Sequence, residues 1–230
     1  MPTPDLDESL LDTWAAGLTA TTRKALLAQS RVLECDTGHV LFSRGDSPNG
    51  FYTVLSGQVR FNRETASGVE RLLTILGPGS TFGELASVSG RVRSHRAICD
   101  LPCRLWHIPV ENFRALLGTH ADFGSLIVSR MAERSQELFD VIEDQMLLDV
   151  PSRLAKRLVA LARAVSGTTL PPADTSIRVT HEDLAKLIGA SRQVVSSHLL
   201  TWQKQGLISQ AYGNVHLLDF DALQRIGQDD

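Results

Sequence analysis

Apolar residues along this chain change their spacing several times, and each change predicts a new kind of element. Residues 6 to 34 carry Leu10, Leu11, Trp14, Leu18, Leu26 and Leu27 at helical spacings, which predicts short helices. From residue 35 the period shortens. Val40 and Phe42, Phe51 to Leu55, Val59 and Phe61, and Leu72 to Leu76 read as brief strands. Turns at Gly38, Gly45, Gly50, Gly57, Gly68 and Gly77 to Gly79 separate them. Strands this short and evenly punctuated predict an antiparallel β-roll, jelly-roll-like, ending near Ile108. The helical period then returns from about Pro109 to Leu148. A seam of Ile127, Met131, Arg134, Leu138, Val141, Gln145 and Leu148 alternates steps of four and three, the pattern of a coiled coil. It predicts a dimerisation helix with Ile127, Met131, Leu138, Val141 and Gln145 at the interface. A helix packed on its own domain is the alternative. Arg134, a charge within the seam, needs an anionic partner in either case.

Beyond Pro151, at a permitted first-turn position, Arg153 to Val165 is amphipathic, and Ser166 to Thr175 reads as a loop. The run from Thr180 to Leu200 spells two short helices joined by a tight turn. Thr180 is a suitable N-cap with Asp183 three residues on, Leu184, Leu187 and Ile188 form one apolar face, and Ala185 is small enough for a crossing helix. Gly189 supplies the sharp turn and Ser191 caps the second helix, whose inward face is Val195, Leu199 and Leu200. Arg192, Gln193, Ser196 and Ser197 are left facing outward near the helix N-terminus, where a recognition helix meets base edges in the major groove. Thr180, Ser191, Arg192, Gln193, Ser196 and Ser197 are therefore the candidate DNA-binding residues. Gly206 to Leu218 reads as two strands about a Tyr-Gly-Asn turn, which makes a wing.

Charge distribution sharpens this picture. The whole chain of 230 residues carries −3, but residues 152 to 204 carry +5, so the remainder carries −8. A basic field on one segment suits phosphate contact, and the acidic remainder suits solubility. Cys35, Cys99 and Cys103 are too few and too unevenly spaced for a disulfide framework or a four-ligand metal site, so reduced structural thiols and no metal are expected. The acidic N-terminus lacks a signal segment and no run of about 18 apolar residues occurs. A cytoplasmic protein with no membrane partner is the expectation.

A second constellation lies in the roll, at Gly79-Ser-Thr-Phe-Gly-Glu-Leu-Ala86 followed by Arg93-Ser94. Phosphate needs backbone N–H groups that glycine lets approach, a bidentate guanidinium and a hydroxyl donor, and Gly83, Arg93 and Ser94 are of those types. Glu84 would repel phosphate but can accept from a ribose hydroxyl.

Taken together, Gly-x-x-Leu-Phe-x-x-Gly at 38 to 45, Phe82-Gly-Glu-Leu-Ala86, Arg93-Ser94, the long helix, Asp149-Val150 and Ser191-Arg-Gln-x-Val195 resemble the Crp/Fnr family of bacterial transcription regulators over essentially the whole chain. The resemblance implies an α+β homodimer with a cyclic-nucleotide-binding-like roll in residues 1–120, a dimerisation helix in 121–148 and a winged helix-turn-helix in 149–230. It implies binding to double-stranded DNA at inverted repeats, and contact with RNA polymerase if the protein activates. It assigns Gly83, Glu84, Leu85, Arg93, Ser94 and Arg134 to an effector, a cyclic nucleotide such as cAMP or cGMP. Cyclic di-GMP, or independence of any effector, is the alternative, because Leu138 and Phe139 stand where cAMP-responsive members keep a Thr-Ser pair on adenine. Gln193 and Ser197 stand where members commonly read a G·C-containing half-site with Glu and Arg. The missing N-terminal cysteines exclude an oxygen-sensing cluster, and His39 and His107 are isolated as haem ligands. No metal cluster or activated nucleophile points to an enzyme.

Overall fold

The computed structural model describes residues 14–64, 70–211 and 213–228. Leu10, Leu11, Gly68 and the tyrosine of the wing turn lie outside the described residues. The chain divides into two compact units. One takes in the chain up to Glu64 with Leu76–Gln136, and the other the segment ending at Ile75 with Glu137 onward.

In the first unit, helix α1 (Ala20–Ala28) is capped by the Thr19 hydroxyl and buries Leu26. Strands β1 (Arg31–Cys35), β2 (Val40–Phe42), β3 (Gly50–Ser56), β4 (Val59–Glu64), β5 (Glu70–Leu76, of which only Leu76 belongs to this unit) and β6 (Thr81–Phe82) follow. Helix α2 (Glu84–Ser89) interrupts them before β7 (Arg96–Cys99) and β8 (Cys103–Pro109), and α3 (Val110–Thr119) leads into α4 (Ala121–Leu147). One sheet runs β1, β8, β3, β6, every neighbour antiparallel, with Gly50 opposite Pro109 and Arg31 opposite His107. In the facing sheet β2, β7 and β4 lie side by side, also antiparallel. Phe42, Tyr52, Val54, Phe82 and Leu105 fill the roll, while Trp14, Leu26, Phe51, Trp106, Phe113 and Phe123 form a second core where the helices cover one sheet. Cys35, Cys99 and Cys103 are buried free thiols.

Asp122 fastens the start of α4. Its carboxylate accepts from the Thr19 N–H at 2.9 Å and from the Thr19 and Thr22 hydroxyls at 3.0 and 2.8 Å, bonds that hold its pKa down at about 2.

Along the rest of α4 the residues of the expected seam have different surroundings, and Ile127 departs from the expectation. Ile127 is buried in the helix-covered core of its own roll, Met131 packs against that core, and Arg134 reaches Glu84. Ile127 is therefore closed to a partner, whereas Met131 and Arg134 keep part of their surface in solvent. The exposed apolar line runs one residue later, through Val128, Phe139, Ile142 and Met146 at 66, 65, 53 and 78 % exposure, with exposed Ala132 and Ser135 completing alternating steps of four and three. Leu138 and Val141 flank this line and are exposed. Gln145 lies beside Gly189, its Oε1 2.9 Å from where a Cβ there would stand. Two lines one residue apart fit the same sequence, and the core around Phe113 and Phe123 covers the first only at Ile127 and Met131.

In the second unit α5 (Val150–Ser166) starts at Asp149, whose side chain accepts from Ser152 N–H. Strand β9 (Thr175–Arg178), helices α6 (His181–Ile188) and α7 (Arg192–Lys204), strands β10 (Ile208–Ala211) and β11 (Asn214–Leu217) and helix α8 (Phe220–Ile226) complete it. The sheet order β10, β11, β9 is antiparallel, so the wing has a third strand, of which only Thr175 falls within the loop expected from the sequence. Leu154, Leu158, Leu184, Ala185, Ile188, Val195, Leu199 and Trp202 share its core. Leu200 is exposed at 54 %, because Val195 and Leu199 already span the buried face of α7.

Candidate functional site

The roll brings together Gly83 at the turn before α2, Glu84 at the start of α2, Arg93 from the loop after it and Arg134 from α4. Gly83 has φ 101°, and a Cβ there would stand 2.5 Å from the Gly50 carbonyl oxygen. Only glycine tolerates both the left-handed backbone and that approach. Arg93 is 3 % exposed. Its Nη1 donates to Gly83 O at 3.0 Å, its Nη2 donates to Asn49 Oδ1 at 2.6 Å and to Gly50 O at 2.7 Å, and its guanidinium carbon lies 4.1 Å from the centre of the Phe42 ring. Burial weighs against the charge and lowers its pKa, but the carbonyl dipoles and the ring face oppose that cost. Around it Tyr52 stacks on Phe82 at 4.9 Å, and burial pushes the Tyr52 hydroxyl up to about 12.

Glu84 is also buried, at 3 %. Arg134 Nη1 donates to its Oε1, and Arg134 Nη2 donates to Thr81 O, so the anionic partner demanded for the helix arginine is the roll's own carboxylate. Two polar atoms here are buried without a hydrogen-bond partner, Glu84 Oε2 and Arg93 Nε. One is an acceptor on the residue after Gly83, and the other belongs to the guanidinium that donates to Gly83 O. Leu85 is exposed at 58 %, and Ser94 is exposed with its hydroxyl on His95 Nδ1 at 2.8 Å. Asn49, Phe42 and Tyr52 belong to the site but were not singled out in the sequence. The Asn49-Gly50 dipeptide is a turn signal that could have pointed to the first.

In the helix-turn-helix the local signals act as their chemistry requires. The Thr180 hydroxyl accepts from Asp183 N–H at 3.0 Å while Asp183 Oδ2 accepts from the Thr180 N–H at 3.4 Å, a capping box to which the hydroxyl adds a bond to Oδ2 at 2.8 Å. Gly189 ends α6 at φ 67°, and Ser191 caps α7 by accepting from Val194 N–H at 3.3 Å. Arg192, Gln193 and Ser197 are exposed on the first two turns of α7. Ser196 is only half-exposed, and its hydroxyl lies 2.8 Å from His181 Nδ1. The sequence pattern did not mark His181, since a polar residue after an N-cap carries no signal of what it will touch.

The description "cyclic nucleotide-binding domain" matches residues 32–120 and "Crp-like helix-turn-helix domain" matches residues 152–226. A CRP-like cAMP-activated global transcriptional regulator of Mycobacterium tuberculosis is 30 % identical over 205 residues, covering 87 % of this chain and 90 % of that protein. The cAMP-activated global transcriptional regulator CRP of Pasteurella multocida is 26 % identical over 189 residues, 82 % of this chain and 90 % of that one. Among solved structures, the c-di-GMP-responsive global regulator CLP of Xanthomonas campestris aligns with TM-score 0.66 at 25 % identity, over 87 % of this chain and 99 % of its own. Family models thus match both the roll and the helix-turn-helix, the relatives are matched over nine-tenths of their own length, and the chain belongs to the Crp/Fnr family of transcription regulators.

Proposed function

We propose that this chain is a cytoplasmic, homodimeric transcription regulator that catalyses no reaction of its own, takes a cyclic mononucleotide in its roll and binds inverted-repeat DNA through paired recognition helices. The observation that carries the effector is the pair of buried atoms left without partners, Arg93 Nε and Glu84 Oε2, on the two residues whose side chains meet the Gly83 turn or adjoin it in sequence. A cyclic phosphate oxygen would accept from Nε, and a ribose hydroxyl would donate to Oε2. A ligand is the natural solution for two such atoms, because each left unpaired costs about 1–3 kcal/mol. Arg134 neutralises Glu84, which removes the repulsion the carboxylate would otherwise exert on a phosphate.

The exposed line through Val128, Phe139, Ile142 and Met146 supports pairing of two α4 helices, since a run of large apolar side chains at heptad spacing is costly to leave in water. Two recognition helices about 34 Å apart would then meet successive major grooves of an inverted repeat. Arg192, Gln193 and Ser197 are the exposed side chains there, and an activator of this kind would also meet RNA polymerase.

A specific observation favours a second reading of the effector. Leu138 and Phe139 are exposed apolar groups where cAMP-responsive members place hydroxyls, and a solved relative in Xanthomonas campestris responds to c-di-GMP. Isothermal titration of the full chain with cAMP, cGMP and cyclic di-GMP separates the readings. Binding of a mononucleotide supports the proposal, binding of cyclic di-GMP alone transfers the site to the second reading, and no binding at all refutes an effector in the roll.

A further inference from the structure

A chain of side chains joins the recognition helix to the wing. His181, the first residue of α6, has Nδ1 2.8 Å from Ser196 Oγ on α7 and Nε2 2.7 Å from Gln210 Oε1 on β10. Gln210 Nε2 in turn donates to Gln203 Oε1 at 3.0 Å. Three elements of the DNA-binding unit are thus linked through one imidazole.

The direction of each hydrogen follows from the donor inventory. Gln210 turns its NH2 toward Gln203, so the oxygen facing His181 can only accept, and Nε2 must carry a hydrogen. In the neutral ring the other nitrogen is then an acceptor, and it takes the Ser196 hydroxyl hydrogen. Ser196 is left presenting lone pairs alone to a base edge, so it can meet an amino hydrogen of adenine or cytosine but cannot donate to guanine or thymine. The same bonds hold β10 at a set distance from α7.

We propose that His181 is a positioning residue for DNA readout, which fixes the hydroxyl polarity of Ser196 on the recognition helix and the place of the wing strand beside it. The inference rests on the reading of this unit as the DNA-binding one. A side chain serving folding alone would lower binding to every DNA alike, whereas loss of a positioned acceptor weakens only the matched site.

The test uses the full-length protein, an inverted repeat recovered by randomised-site selection on the wild type, and a scrambled duplex of equal length, with binding followed by fluorescence anisotropy and folding by thermal unfolding. His181→Ala is expected to lower affinity for the selected repeat about tenfold, the effect of losing roughly 1.4 kcal/mol, with scrambled-duplex affinity unchanged. Gln210→Ala cuts the link from the wing side and should give the same selective loss, which keeps the test decisive if His181→Ala folds poorly. His181→Gln can donate through its nitrogen and accept through its oxygen across the same gap, so it should restore selective binding. Equal losses on both duplexes, or no rescue by glutamine, would overturn the assignment. A wild type that selects no site fails earlier and overturns the DNA-binding reading together with this inference.

Discussion

The two candidate sites solve opposite problems of polarity. In the roll, charged groups are taken out of water: Arg93 and Glu84 are each 3 % exposed, and their hydrogen bonds go to Asn49, Gly50, Gly83 and Arg134. Removing one of them is therefore expected to disturb the fold together with the proposed binding. In the helix-turn-helix, Arg192, Gln193 and Ser197 stay in water, while capping and apolar contacts below them hold the frame. Binding and folding are there assigned to different residues. The difference teaches that the same experiment, a single substitution, reads function cleanly in one unit and only in combination with stability in the other.

Arg93→Leu gives the largest expected effect. Three acceptors, Asn49 Oδ1, Gly50 O and Gly83 O, lose their donors, so stability should fall by about 2–5 kcal/mol and effector affinity beyond detection. A variant that unfolds at the wild-type temperature would break the comparison at once. Gln193→Ala, in the other unit, should cost about 1–3 kcal/mol at one base of each half-site with no change in unfolding temperature, measured by site selection and calorimetry. A matching fall in stability would erase the contrast. Thr180→Ala sharpens it further, since loss of the capping box should cost about 1 kcal/mol of stability and leave base preferences intact.

The smallest effect is on acid stability. The Asp122 pKa is depressed from 3.8 to about 2 by bonds from the Thr19 N–H and the Thr19 and Thr22 hydroxyls. Its contribution is present above pH 4 and is lost as pH falls through 2. Asp122→Asn should therefore be less stable than wild type near neutral pH and converge on it at the acid end, as followed by circular dichroism across that range. Curves that stay parallel would detach α4 from the Thr19 cap.

What could be read without the structure follows the range of the interactions. The Thr180 cap, the Gly189 turn and the Ser191 cap each involve residues within four positions, so residue type and spacing suffice. The roll's glycine punctuation is equally local. Arg93 and Glu84 were legible as types, but Asn49 lies 44 residues from Arg93, and no periodicity encodes that distance. On α4 the obstacle was of another kind. The heptad steps through Ile127 and those through Val128 are equally regular, and only the core around Phe113 and Phe123 shows that the first is covered at Ile127 and Met131 while Leu138 and Val141 farther along it are bare. Ser196 shows the limit on the DNA side, since a residue fifteen positions upstream, His181, already holds its hydroxyl.

The neighbouring apolar lines on α4 make that helix a dial as much as a rod. Each added residue turns everything beyond it by about 100°, while seven added together return it to within about 20° of its starting azimuth. Length changes in this segment are thus quantised: a single insertion between Arg134 and Phe139 would rotate Ile142 and Met146 off the line begun by Val128, whereas a whole heptad would lengthen the helix and keep its faces in phase.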